Sequence, residues 1–404
     1  MSPATRRTGL VVLLAGAAML ALNMGLRQTF GLFLEPVTGA LSISRSSFSL
    51  AIAIQNLLWG LLTPVCGAFA DRWGTGRVLV AGGTLYVAGL LVMALVQTPV
   101  GLQLGAGILT GLAVSATGFP LVLAAVARGA PEERRSAWLG LATAGGSLGQ
   151  FLLLPTTQLV IGGFGWPSAL VVLAVIAGGM LPLAFLLRGQ PLASGMGEQR
   201  LGEALHEAVH HRGFVLLTAG FFVCGFHVAF VATHLPAYVE SAGIAPVIGA
   251  SALGVIGFFN IFGTLGAGWL GGRFSKKRVL TGIYVARAVV IATMLALPMT
   301  EWTVWFFAVS FGLIWLGTVP LTGGIVGQIF GPRYMATLFG IVMLSHQVGA
   351  FFGAWLGGIS YDLTGSYQAV WLVAIALSLA AAALHWPIED APLARRPAPT
   401  AATP

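Results

Sequence analysis

Arg27 is the only charged side chain between Arg7 and Glu35, in a run dominated by Leu, Val, Ala, Gly, Met and Phe. Placing an arginine in the middle of an apolar helix costs about 2.5 to 3.5 kcal/mol on insertion scales, so its presence needs a reason. A guanidinium is permanently charged and offers a planar fork of donors that matches a carboxylate. Asn23 stands one helical turn earlier, on the same face. Together they suit recognition of a small organic anion; a structural ion pair or a gating contact is the alternative.

The other polar groups in apolar runs are few. His227 and His234 are two turns apart on one helix face, and His346 is followed by Gln347. Imidazole has an unperturbed pKa of about 6.5, so each histidine can hydrogen-bond a ligand, take up a proton, or pack as a neutral group. Arg287 is by charge a second anion ligand, with a structural role as its alternative. Trp59, Phe119, Phe311 and Trp315 can shape a cavity or simply pack. No Asp or Glu lies near the centre of an apolar run, while Glu35, Glu240 and Asp362 stand at the ends. That pattern disfavours export of cations driven by a membrane carboxylate. Metal-ligand spacing, phosphate loops and nucleophile motifs are all missing from the sequence, and Cys66 and Cys224 are isolated in apolar runs. The sequence therefore points away from an enzyme, a cofactor or a metal.

What must position these residues is a membrane. The 404 residues are 57% hydrophobic and 8% charged, against roughly 25% charged in soluble chains. Apolar stretches of the roughly 20 residues needed to cross a bilayer recur nearly end to end. They predict twelve spans, at about 10–35, 47–69, 78–97, 100–127, 136–160, 167–187, 214–238, 247–271, 279–298, 302–329, 335–358 and 368–386. The run after Arg6 and Arg7 is too long for a signal peptide and lacks a convincing cleavage site, so it is read as the first span.

Of the 20 Lys and Arg, Arg27 and Arg287 lie within spans and Arg45 lies in the opposite loops. The rest, from Arg6 to Arg396, share one side, which the positive-inside rule makes cytoplasmic, with both termini. The net charge of +8 is thus a matter of topology and not of a nucleic-acid surface.

The chain also repeats itself. Gly25, Phe30 and Pro36 correspond to Gly225, Phe230 and Pro236, and Pro120, Gly140 and Gly149 to Pro320, Gly340 and Gly349. This predicts an all-α membrane protein of two pseudo-symmetric six-helix bundles, residues 1–188 and 213–388. Between them lies a cytoplasmic connection, 189–212, with a short amphipathic helix, and after them a Pro- and Ala-rich tail, 389–404, expected to be disordered. Glycines such as Gly145, Gly146 and Gly149 suit closely packed, sliding helices.

Between spans two and three stand Gly67, Asp71, Arg72, Gly74 and Arg77, a pattern that resembles the cytoplasmic loop motif of the major facilitator superfamily. An acid at a helix end can pair with basic groups and a neighbouring helix terminus, closing one side of a carrier. The second half repeats Gly268, Arg273 and Arg278 without the acid. The stretch Leu26-Arg27-Gln28-Thr29-Phe30-Gly31-Leu32-Phe33-Leu34-Glu35 resembles the first helix of the monocarboxylate transporter family, bacterial branch. The resemblance implies that Arg27 handles substrate. In helix eight that family places an acid and an arginine one turn apart; here Asn260 and Thr264 stand there.

The resulting expectation is a monomeric inner-membrane carrier for a small monocarboxylate-like anion, working by alternating access with a proton as candidate coupling ion. Arg27, Asn23, His227, His234, Asn260, His346, Gln347 and Arg287 are the candidate substrate residues. A drug or metabolite exporter of the same superfamily is the alternative, with a membrane sensor or enzyme behind it.

Overall fold

Lipid offers backbone N–H and C=O groups no partner, so each span must satisfy its own. The computed structural model describes residues 3–131, 135–189, 201–331 and 335–393, and among them every regular element is helical. Span one runs through the helix Pro3–Gln28, a 3-10 turn Thr29–Phe33 and the helix Leu34–Leu41. Spans two and three are Arg45–Trp73 and Thr75–Leu95. Span four is segmented as Pro99–Leu102, a π turn Gln103–Leu109, Thr110–Thr117 and Phe119–Gly129. Span five is Arg135–Phe164, and span six is Trp166–Gly178 with Met180–Leu186. After a connecting helix, Leu201–His210, spans seven to nine are Arg212–Ser241, Pro246–Arg273 and Lys276–Ala296. Span ten is split into Glu301–Leu313 and Thr318–Phe330, and Met335–Thr364 and Gln368–His385 complete the twelve.

Eleven of these are long and apolar enough to cross a membrane on hydropathy alone. Span five, 30 residues long, is diluted by Gln150, Thr156, Thr157 and Gln158. Its position explains the dilution: it packs against span one and against span eight of the other half, so less of its surface needs to be greasy. Arg395, Arg396 and the rest of the tail from 394 lie outside the described residues, as does most of the connection before Leu201.

The strongest helix pairing in each half is the same pair in the repeat, span one on span five and span seven on span eleven. Glycine makes both possible. A Cβ on Gly149 would sit 1.9 Å from the carbonyl oxygen of Ala21, and one on Gly349 would sit 1.9 Å from that of Phe222. Small residues let backbones touch in this way. Gly149→Val is therefore expected to lower the yield of monodisperse protein and its apparent Tm sharply, since overpacking costs about 1 to 3 kcal/mol even where side chains can yield; gel filtration and thermal unfolding in detergent measure it, and a wild-type profile would refute the packing argument.

The two halves meet along span two against span eleven and span five against span eight. At the end that carries the connection between spans one and two, the 3-10 turn of span one closes on span seven, where a Cβ on Gly31 would strike the Ala232 carbonyl at 2.1 Å. Spans four and ten are both interrupted near mid-membrane, at Gly118 and at Ile314–Gly317. The breaks precede Pro120 and Pro320, equivalents in the repeat. Pro120 falls in the first turn of its half-helix, where its missing N–H costs nothing.

Candidate functional site

Arg27 sits at the C-terminal end of the first helix, where the backbone tightens into the 3-10 turn. It is buried, at 7% exposure, yet no described carboxylate pairs with it. One Nη donates to Oδ1 of Asn56 at 2.5 Å, and the guanidinium carbon lies 4.7 Å from the centroid of the Trp59 ring. Nε has no partner. Span two thus holds the cation at one edge and one face and leaves donor capacity unused. Among the described residues, the ingredients of an anion site are present and its counter-charge is not.

Asn23 lies fully buried one turn below. Its side-chain amide donates to the Thr117 hydroxyl, just before the break in span four, and its backbone carbonyl receives the Tyr86 hydroxyl at 3.4 Å. Gln28 donates to Gln150 at 3.4 Å, and Gln150 donates across the interface to the Leu253 carbonyl at 2.8 Å. These two bonds lead from Gln28, the arginine's neighbour in sequence, to the second half.

Asn260 makes a separate contact between the halves. Its amide nitrogen donates to the Ser147 hydroxyl of span five at 3.1 Å, while its oxygen accepts from the Leu316 N–H at 3.0 Å and from Thr264 at 3.1 Å. Leu316 lies in the break of span ten, so Asn260 ties that break to the opposite half. Arg287 holds the other side of the break. It is fully buried, its Nε and Nη2 donate to the Ile314 carbonyl at 3.2 and 3.0 Å, and Nη2 also reaches the Trp315 carbonyl. These are carbonyls that an interrupted helix leaves without intrahelical donors.

His227 and His234 are inside the second half with no exposed surface. Nε2 of His227 is 2.9 Å from the Ala374 carbonyl, and Nε2 of His234 is 2.7 Å from that of Ala354. His346, 5% exposed, packs 5.0 Å from the Phe221 ring with Nδ1 unpartnered. Gln347 faces span two, where its side chain lies against Gly60. The structure thus groups Arg27 and Asn23 in the first half, sets Asn260 and Gln347 at the interface, packs His346 against span seven, and keeps His227, His234 and Arg287 within the second half. Asn56, Thr117, Ser147 and Gln150 complete the polar band. Neutral amides and hydroxyls in apolar runs were the signal for them, and it is a weak one.

At the end of the bundle that carries the connection between spans two and three, Gly74 makes the turn after span two with φ +91°, a conformation that glycine adopts without strain. Arg72, Trp73, Arg77, Phe185 and Arg188 line a cavity of about 660 Å³. Gly67 has open space where a Cβ would stand, and Arg273 is exposed beside Trp269, 4.3 Å from its ring centroid. The side chain of Asp71 lies outside the described residues.

Comparison with known proteins agrees with this architecture. The Major Facilitator Superfamily profile matches residues 13–323. Monocarboxylate transporter 13 of Rattus norvegicus is 26% identical over 384 residues, covering 92% of this chain and 87% of that protein. The uncharacterized MFS-type transporter YcxA of Bacillus subtilis (strain 168) is 25% identical over 366 residues, with 86% and 87% covered. Among solved structures, a nucleoside transporter NupG mutant superposes with a TM-score of 0.78 at 15% identity, covering 94% of this chain and 98% of that one. A D-xylose-proton symporter superposes with a TM-score of 0.74 at 15% identity, over 97% and 100%.

Proposed function

Because the chain belongs to the Major Facilitator Superfamily and is a multi-pass membrane transporter, we propose that it carries a small monocarboxylate-like organic anion by alternating access, binding it at mid-membrane to Arg27. The observation that carries this reading is a buried arginine with no described acidic partner and an unused Nε. An unpaired charge in low dielectric is costly, and a carboxylate ligand offsets that cost. Relatives named as monocarboxylate transporters support the choice of anion. Asn56 orients the cation, and Trp59 covers one of its faces, which leaves an edge for a planar acid.

Two half-helices support the same reading. Phe119–Gly129 and Thr318–Phe330 begin near mid-membrane, and a helix N-terminus carries a partial positive charge that favours anions in broken transporter helices. Asn260 then links substrate binding to motion, since it touches span ten and span five at once. The loop charges favour a cytoplasmic-membrane location with both termini inside.

The direct test is a thermal-shift screen of purified protein against short monocarboxylates and their amides. The acids raise Tm and the isosteric amides do not; stabilisation by lipophilic cations instead would overturn the reading. Proton symport adds a prediction about His346, which is buried against Phe221 of span seven with its Nδ1 unpartnered, next to Gln347 of the interface. His346→Gln is expected to remove the stimulation of uptake by an inward proton gradient while leaving exchange of unlabelled for labelled substrate intact. Unaltered gradient stimulation would separate His346 from coupling.

A further inference from the structure

Arg45 is the lone basic residue of the outer loops, yet the second half of the protein encloses it. Its guanidinium pairs with Glu35 of span one at 2.5 Å, donates to the Tyr367 hydroxyl at 2.6 Å and lies 3.4 Å from the centroid of the Tyr361 ring. Tyr367 sits between spans eleven and twelve, and burial holds its phenol above the ordinary value, against the opposing pull of Arg45, so it stays neutral. Gly358 permits the approach: a Cβ there would come within 2.7 Å of the Arg45 carbonyl oxygen.

The backbone shows a further dependence. A helix begins with four N–H groups that have no partner within it. In span two the Ser44 side chain accepts from one of them, on Ser47, at 3.1 Å, while the first internal bond runs from Phe48 to the Ser44 carbonyl at 3.3 Å. Two more, on Arg45 and Ser46, donate to the two oxygens of Asp362 at 3.0 and 2.8 Å. Asp362 belongs to span eleven, so one half of the molecule supplies a charged cap to a helix of the other. A carboxylate at a helix N-terminus also interacts favourably with the helix dipole.

We propose that Arg45 and Asp362 form an outer latch whose release sets the balance between outer-closed and outer-open forms of the carrier. Outward opening must part spans one and two from spans seven and eleven, and the same parting removes the cap, the tyrosine contact and the ring contact together. Glu35 moves with Arg45 because both belong to the first half, so it keeps the freed arginine company and limits the cost. Arg45 and Asp362 are positioning residues and touch no substrate. The inference rests on the carrier fold and not on which solute Arg27 binds.

Hydrogen exchange of the full-length protein in lipid nanodiscs tests it without any substrate. In Arg45→Ala and Asp362→Asn, amides of 29–41 and 232–246 exchange about tenfold faster, as for loss of one charged hydrogen-bonded contact. Amides at the inner ends of spans two and eight, 61–73 and 265–273, become slower in the same samples. Gly31→Val, which wedges the outer ends apart without touching the latch, shifts exchange in the same two directions. Unchanged exchange at the outer ends overturns the latch, and so does equal acceleration at both ends, which is the mark of a protein that has merely loosened.

Discussion

Proteoliposomes carrying Arg27→Ala are expected to lose at least about 30-fold in anion uptake, while the unliganded protein unfolds at or above the wild-type temperature. The fold-change follows from truncating one partner of a buried charged hydrogen-bonded pair, which costs about 2 kcal/mol or more, and about 1.4 kcal/mol is tenfold. The stability half follows from the present geometry. Arg27 has a partnerless Nε and no described carboxylate, so without substrate it is a net burden on the fold. Arg27→Lys keeps the charge but lacks the planar fork, and falls between the two. Full uptake by the alanine variant would remove the site from Arg27, and a collapse of stability would make the residue structural.

Arg287→Ala is expected to do the reverse. Its fully buried guanidinium satisfies the Ile314 and Trp315 carbonyls, and each orphaned buried carbonyl costs about 1 to 3 kcal/mol. The variant therefore loses apparent Tm and yield, while any protein that survives purification keeps the wild-type preference for acids over amides. Arg287→Lys, able to reach a carbonyl but not to span two, recovers part of the Tm. If Arg287→Ala unfolds like wild type and instead loses discrimination between acid and amide, the residue is a ligand of the substrate. The contrasting behaviour of these two arginines is the sharpest test of the arrangement, because they look alike in the sequence.

That likeness shows where sequence reading ends. Hydropathy reveals a helix that faces lipid, and the internal repeat aligns positions along it; together they gave the spans and the two halves. Neither says which way a side chain turns. His227 occupies the repeat position of Arg27, yet it packs against Ala374 within its own half, since equivalence along an axis does not fix rotation about it. Arg287 was visible as a charge, whereas its partners are carbonyls released by a break in another span, a tertiary fact that no spacing records. Span five carried a weak hydropathic signal for the same reason that it matters, because polar groups at a helix interface replace apolar groups at a lipid surface. Asn56 and Ser147 left almost no trace, as a neutral amide or hydroxyl costs too little to stand out.

The arginine without a described counter-charge has an electrical consequence. With no acid beside it, Arg27 gives the empty carrier a fixed positive charge near the middle of the bilayer, and a bound carboxylate cancels it. A membrane potential acts with about 2.3 kcal/mol per elementary charge for each 100 mV traversed, scaled by the fraction of the field the charge crosses. Under the proposed binding at Arg27, and with the buried Arg287 a constant second charge in both forms, voltage acts more strongly on the empty carrier than on the loaded one, so that potential alters how fast the transporter recovers between turnovers more than how tightly it holds its cargo.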